Sequence, residues 1–343
     1  MEDPATTIAI VPHEKFSVTR QNLESVLSGT PEPYRLVVVD GGSPRHVGRY
    51  LEAQARAHDF TLVRSDHFLQ PNQARNLALA YVDTEFVAFL DNDVVVDPGW
   101  LTPLEQCARE TGAAVVAPLC CIGSFVHARI HLTVGECRIV ETDGRRVVYE
   151  HFVDSQARFD DVLPRVQRSQ CELVDSHALL VRSDVLGSGA WFDEEIRLEE
   201  HVDLSLTVRA GGGTLWMEPG SIVTYLTTHL QPSDLPFYVA RWSEAPSRVG
   251  LAYFAEKWRI SRDDPWLTAK VRWGSILRLR GYWPYRSPFT RLARRFGREP
   301  RQIVDRAAQR VALRYQAWRR RRSGPPRLAH AASWLASTVV ADA

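Results

Sequence analysis

Apolar and polar positions come in blocks over the first 120 residues. Ile8 to Pro12 (IAIVP) is a short apolar run ended by proline. Arg35 to Asp40 (RLVVVD) is a second, closed by Gly41-Gly42-Ser43, and Phe86 to Leu90 (FVAFL) a third that ends in Asp91-Asn92-Asp93. Continuous apolar runs of this length predict strands buried on both faces. Helical spacing fills the intervals: Val18 to Leu27, a stretch from about Pro44, and Pro71 to Tyr81 with proline in its first turn. Phe60 to Val63 reads as a weaker strand, Pro98 and Trp100 as the opening of a helix, and Ala113 to Ala117 as one more strand. The alternation predicts an α/β domain: a mostly parallel sheet flanked by helices, with ligands beyond the carboxyl ends of the strands. Asp40 and the Asp91/Asp93 pair lie at such ends.

Downstream the pattern loosens. Arg129 to Val134 is strand-like. Cys137 to Val140 and Arg145 to Tyr149 flank Asp143-Gly144, a favoured hairpin turn. From Glu199 a helix is predicted, with Leu198, Val202 and Leu206 on its packing face, Glu199 and Asp203 on another, and Glu200 beside them. Beyond Leu230 the chain turns helical and aromatic-rich. Arg291 to Arg322 reads as two basic helices broken near Gly297 to Pro300, and the tail from Gly324 is expected to fray.

Composition narrows the class. At 343 residues, 45% apolar and 24% charged, the chain can build a sizeable core, which excludes wholesale disorder. No uncharged apolar run reaches about 18 residues, so no membrane-spanning helix is expected. The opening MEDPATTIAIVPHEK is acidic and runs straight into a strand, unlike a secretory leader. The five cysteines have neither zinc-site nor disulfide spacing and read as reduced thiols in a cytoplasmic protein. The net charge of +1 hides an asymmetry: residues 257–327 carry a balance of +17 and the rest −16. Two readings of the basic segment stand side by side. It is a helical extension packed back on the acidic body, or a peripheral contact with anionic membrane at the inner face. No nucleic-acid module frames it, so no nucleic-acid partner is expected.

The chemistry is carried by carboxylates. Neither GxGxxG nor GxxxxGK[ST] follows the first strand, which excludes a dinucleotide-binding Rossmann domain and a P-loop enzyme. Asp91 and Asp93, two apart at a strand end, can converge on one hard cation that also holds substrate phosphates. The acidic helix start offers a base for a hydroxyl proton. Trp191 reads either as a stacking surface or as core, and His177 (in SHALLV) either as buried or as lining an acceptor pocket.

Together, IAIVPHEK, VVVDGGS, QPNQARNLALAYVDTEFVAFLDND and FDEEIRLEEHVDLSLTVRAGG resemble, in that order, a family 2 glycosyltransferase with the GT-A fold, over about residues 7 to 230. The resemblance implies a GT-A catalytic domain over 1–230, with a nucleotide-binding half at 1–120 and an acceptor half at 121–230, followed by a helical basic extension over 231–343. It implies transfer of a sugar from a nucleoside-diphosphate sugar, a UDP-sugar first, to an acceptor hydroxyl with inversion. The acceptor is a saccharide, a lipid-linked group or a small molecule. Pro12 and Asp40 would line the nucleoside pocket, and Arg75 and Asn76 would sit near the diphosphate or sugar. Asp91 would touch the donor and help with the metal, Asp93 would ligate it directly, and His229 would be the third ligand. The cation would be Mn²⁺ or Mg²⁺, and a histidine suits Mn²⁺ better. One departure stands out. The family's Glu-Asp pair reads Glu200-His201 here, so the catalytic base is Glu200, His201 or Asp203, with Glu200 the first choice. If none of them acts, a retaining course needs no such base. Arg209 stands two residues past the usual arginine position. The competing classes are a nucleotidyltransferase using the same acidic site, and a non-catalytic interaction protein binding through its basic C-terminal part.

Overall fold

The computed structural model describes residues 3–187, 191–282 and 299–335. The apolar runs form β1 (Thr6–Val11), β2 (Arg35–Gly41), β3 (Thr61–Ser65) and β4 (Phe86–Asp91). They lie parallel in the order β4-β1-β2-β3. Alternate residues of these strands serve two cores. Ile8, Ile10, Leu36 and Val38 pack with Leu23 and Val26 of α1 (Thr19–Gly29) and Val47 and Leu51 of α2 (Arg45–His58). Ala9, Val11, Val37 and Val39 pack on the other face with Ala74 and Ala78 of α3 (Pro71–Leu79). Proline opens α3, and the Gln73 side chain accepts from Gln70 N at 3.1 Å, so the first turn is satisfied locally.

Beyond β4 the sheet becomes mixed. A three-residue strand missing from the sequence reading, β5 (Val94–Val96), follows the acidic triplet, and α4 (Leu101–Thr111) starts just after Trp100. β6 (Val115–Gly123) pairs with β7 (Arg129–Leu132). β8 (Gly135–Thr142) and β9 (Arg145–Phe152) form the expected hairpin, with Asp143 (φ 51°) and Gly144 (φ 70°) both left-handed at its turn. After α5 (Phe159–Val162) and β10 (Ser169–Cys171), β11 (Ala178–Arg182) lies antiparallel between β4 and β6. The helix α6 (Glu200–Ala210) precedes β12 (Leu215–Leu226), which runs parallel to β6 with a bulge around Pro219-Gly220. Among the described residues the main sheet has eleven strands, with β10-β12-β6-β11-β4-β1-β2-β3 as its spine.

α6 is buried on two sides. Leu204 and Val208 join the sheet core, while Val202 and Leu206 pack with Phe254 and Ile260 from the C-terminal helices. Those helices are α7 (Leu235–Arg241), α8 (Glu244–Lys257), α9 (Pro265–Tyr282) and α10 (Glu299–Arg322). α10 matches the second predicted basic helix; the first, from Arg291, lies outside the described residues. No described helix is long and apolar enough to cross a membrane. All five cysteines are free.

The tail corrects the sequence reading. Instead of fraying after Gly324, its described part, up to residue 335, forms β13 (Arg327–His330), antiparallel to β3; the rest of the tail lies outside the described residues. Ala332 is buried, and Ser333 N donates to Asp59 Oδ1 at 3.0 Å. The outer edge of β3 carries backbone donors and acceptors that a short added strand satisfies.

Candidate active site

The parallel register of β1 and β4 sets the site. Val11 is level with Asp91, so two residues further on His13 comes beside Asp93. The middle residue of the triplet points the other way and fixes the neighbouring loop. Asn92 Oδ1 accepts from His13 N at 2.8 Å, and its amide donates to Lys15 O at 2.9 Å and Thr19 Oγ1 at 2.8 Å. Asp91 and Asp93 are thereby turned to the same side, as their spacing predicts.

Four side chains converge there. His13 Nδ1 lies 3.2 Å from Asp93 Oδ2 and 3.9 Å from Asp91 Oδ2. His177 Nδ1 lies 2.9 Å from Asp91 Oδ2. One ligand-type atom from each of His13, Asp91, Asp93 and His177 lies within 4.8 Å of the others. Asp93 Oδ1 is buried with no hydrogen-bond partner. Two carboxylates, two imidazoles and an orphaned oxygen fit a divalent cation of the Mn²⁺ type. Arg75, fully buried, donates to Asp91 Oδ1 at 3.1 Å, and is itself held by Asn72 Oδ1 at 3.0 Å and Ser176 O at 2.9 Å. Burial alone would raise the Asp91 pKa, but the charges of His13, Arg75 and His177 hold it below the usual aspartate value. Burial would lower His177, yet Asp175 and Asp91 push it up to about 9. Asp175 also receives His131 Nε2 at 3.1 Å.

Of these groups His13, Arg75, His131, Asp175 and His177 line a cavity of about 1960 Å³, whereas Asp91 and Asp93 are fully buried and outside its lining. Glu199, Glu200 and His201 line it from the start of α6, and His229 lines it from the loop after β12. Glu199 takes a left-handed backbone (φ 64°), which aims the acidic start of α6 into the cavity. Glu200 Oε1 pairs with Arg241 Nη2 at 2.7 Å. Burial would raise Glu200, but Arg241, with Arg75 behind it, keeps it below the ordinary glutamate value. Lys270 bridges Glu150 Oε2 at 2.5 Å and Glu199 Oε2 at 2.6 Å, and His201 Nε2 lies 3.5 Å from Glu150 Oε1.

Other predicted residues lie elsewhere. Asp203 turns away from the cavity: Lys257 Nζ is 2.8 Å and Trp258 Nε1 2.8 Å from its Oδ1. The Asn76 amide donates to Phe192 O at 2.7 Å and Glu194 Oε1 at 3.0 Å, clamping that loop, and it does not line the cavity. Pro12 and Asp40 also lie outside the cavity lining. Asp40 Oδ1 accepts from Ser43 N at 2.8 Å, while its buried Oδ2, 3.2 Å from Arg64 Nε, makes no hydrogen bond. Burial raises the Asp40 pKa despite Ser43 and Arg64. His229 is exposed and stands apart from the four-residue cluster. Trp191 packs against the sheet core, its ring 4.8 Å from Phe192. Arg209 donates to Cys137 O and lies 3.9 Å from Glu172, on the far side of α6.

The sequence reading gave His13 no role, although its place just past a predicted strand end, beside the strand that carries the acidic triplet, was the signal. His131 and Asp175 carried no local pattern. Glu14 is gripped by Tyr225 (2.5 Å) and Trp242 (2.6 Å), and Tyr225 stacks on His177 with centroids 4.1 Å apart.

Residues 7–155 match the family model described as glycosyl transferase family 2. Two proteins named pre-mycofactocin glycosyltransferase, from Mycobacterium tuberculosis strains CDC 1551 / Oshkosh and ATCC 25618 / H37Rv, are each 31% identical over 193 residues. The alignment spans 56% of this chain but 37% of those relatives, so this chain corresponds to little more than a third of their length. The fold is similar to that of GalNAc-T7, solved with UDP, GalNAc and Mn²⁺, at a TM-score of 0.52 and 15% identity, over 78% of this chain and 57% of that one. Residues 7–155 are thus similar to family 2 glycosyl transferases, on a fold of the GT-A type.

Proposed function

We propose that this chain is a metal-dependent glycosyltransferase that moves a sugar from a nucleoside-diphosphate sugar, a UDP-sugar first, to an acceptor hydroxyl with inversion. The observation that carries the reading is the cluster of His13, Asp91, Asp93 and His177 at the carboxyl ends of the strands, in which the buried Asp93 Oδ1 makes no hydrogen bond. Asp93, Asp91 and His13 would hold Mn²⁺ or Mg²⁺, with His229 or His177 completing the set. A bound cation supplies charge neutralisation for the leaving diphosphate. Arg75 adds a fixed positive charge on the same side and keeps Asp91 oriented. Asp40 Oδ2, buried and without a hydrogen bond although 3.2 Å from Arg64 Nε, is suited to accept a base N–H.

On the acceptor side, Glu200 is the proposed base. It faces the cavity and is ionised at neutral pH because Arg241 offsets its burial. It would take the acceptor hydroxyl proton as that oxygen attacks the sugar. The nucleotidyltransferase alternative needs a cation free to meet a triphosphate after β1. Lys15 instead donates to Leu226 O at 2.7 Å and lies 3.5 Å from Glu14. A division at residue 230 is part of the proposal, and the helices beyond it lend Arg241, Trp242 and Lys270 to the cavity wall.

Calorimetric titration with UDP, GDP, CDP and dTDP, each with Mn²⁺ and with EDTA, tests this directly. Metal-dependent binding of UDP is expected. Binding of none of the four would overturn the donor reading.

A further inference from the structure

α10 buries one face and leaves an apolar flank beside it bare. On the inner face Ala312 packs with Val239 and Ala240 of α7, Gln309 Oε1 accepts from Glu244 N at 2.8 Å, and Arg319 donates to Gly42 O at 2.8 Å. The helix is therefore already seated on the body. On the outer side Val304, Val311, Tyr315 and Trp318 are 40%, 67%, 39% and 51% exposed. Their spacing of seven, four and three places them in one stripe along the helix. Arg310, Arg314 and Arg321, all exposed, run beside that stripe. The Tyr315 and Trp318 rings stack at 6.2 Å, and the Arg322 guanidinium lies 4.8 Å from the Trp318 centroid.

We propose that this face docks the protein on an anionic membrane surface, with α10 lying in the plane of the interface. Val311, Tyr315 and Trp318 enter the boundary between headgroups and acyl chains, and the arginines meet lipid phosphates. Charge selects the occupant. The segment 257–327 has a balance of +17 and the remainder −16, so an anionic surface attracts this end and repels the rest. The two valines in the stripe disfavour nucleic acid, because an aliphatic side chain neither stacks on a base nor pairs with a phosphate. The inner face is already occupied, so packing of the described residues on the body leaves the stripe uncovered.

The proposal is independent of the transferase reading, because its test uses neither donor nor acceptor. The full chain is floated with vesicles of phosphatidylglycerol and phosphatidylcholine, and with phosphatidylcholine alone. Wild type is expected to float with the anionic vesicles only, and less at raised salt. The double variant Val311→Glu, Trp318→Glu is expected to partition at least about tenfold less, with its circular dichroism and melting temperature unchanged because both positions are exposed. Equal flotation with both vesicle types overturns the proposal. So does a folded double variant that floats like wild type, or binding to duplex RNA with no flotation.

Discussion

Glu200 and Arg241 form a buried ion pair, 2.7 Å from Oε1 to Nη2, that ties the acidic helix to the C-terminal helices; their side chains are 7% and 3% exposed. Arg241 also donates to Arg197 O, which fixes the guanidinium. The arrangement recurs nearby. Trp242 grips Glu14, and Lys270 grips Glu150 and Glu199. Acidic groups around the cavity thus have cationic or donor partners in the helices beyond residue 230.

Arg241→Met therefore leaves a carboxylate buried and uncompensated. Removing one partner of such a pair costs about 3–5 kcal/mol. The melting temperature should fall sharply, and Arg241→Lys should recover part of the loss. A Met variant as stable as wild type in denaturant titration would show that the pair contributes nothing.

Glu200→Gln and Asp203→Asn should separate chemistry from structure. Glu200→Gln is expected to lower kcat by about 10²–10⁴ while nucleotide binding persists. Asp203→Asn weakens the contact to Lys257 and is expected to change stability more than kcat, because Asp203 faces away from the cavity. Steady-state rates with calorimetry distinguish the two, and the reverse pattern would move the base to Asp203.

Asp93→Ala should abolish metal-dependent UDP binding, weakening it more than about 100-fold. The protein should stay folded: Oδ1 has no hydrogen bond to lose, and Oδ2 gives up its contact with His13 Nδ1 at 3.2 Å. Undiminished binding by a folded variant would sink the metal assignment.

His13→Ala and His229→Ala compare two candidate ligands. His13 Nδ1 already lies 3.2 Å from Asp93, whereas His229 sits on an exposed loop. Losing His13 is expected to weaken Mn²⁺ binding about 10- to 100-fold in the absence of nucleotide. Losing His229 should matter only once nucleotide is bound. Titration of Mn²⁺ with and without UDP reads the difference.

The sheet's parallel half was legible because its strands are continuous apolar runs punctuated by glycine, proline and acidic turns. Asp91 and Asp93 were legible because period-two geometry turns both to one side of a strand end. Other features depended on contacts that no local pattern encodes. Asp203 and Glu200 look alike in sequence, and only the presence of Lys257 and Trp258 on one side and Arg241 on the other gives them different roles. β13 was missed because an Arg-Leu-Ala-His segment has little strand character of its own and is ordered by the unpaired edge of β3. α6 was read with one packing face because its second apolar face meets helices distant in sequence.

Glu150 gives the acid limb of stability a specific origin. Burial would raise its carboxyl, but His201 and Lys270 draw it from 4.5 down to about 2. A carboxylate with a depressed folded pKa binds fewer protons in the native state than in the unfolded one. Its contribution is therefore fully present above about pH 4.5 and is lost as pH falls toward about 2. The amount is on the order of 3–4 kcal/mol, at about 1.4 kcal/mol per pKa unit. Glu150→Gln should flatten the stability profile across that interval. It should also leave Lys270 with Glu199 as its remaining anionic partner, lowering stability near neutral pH as well. Denaturant unfolding from pH 3 to pH 7 measures both effects, and parallel profiles for variant and wild type would place the acid sensitivity elsewhere.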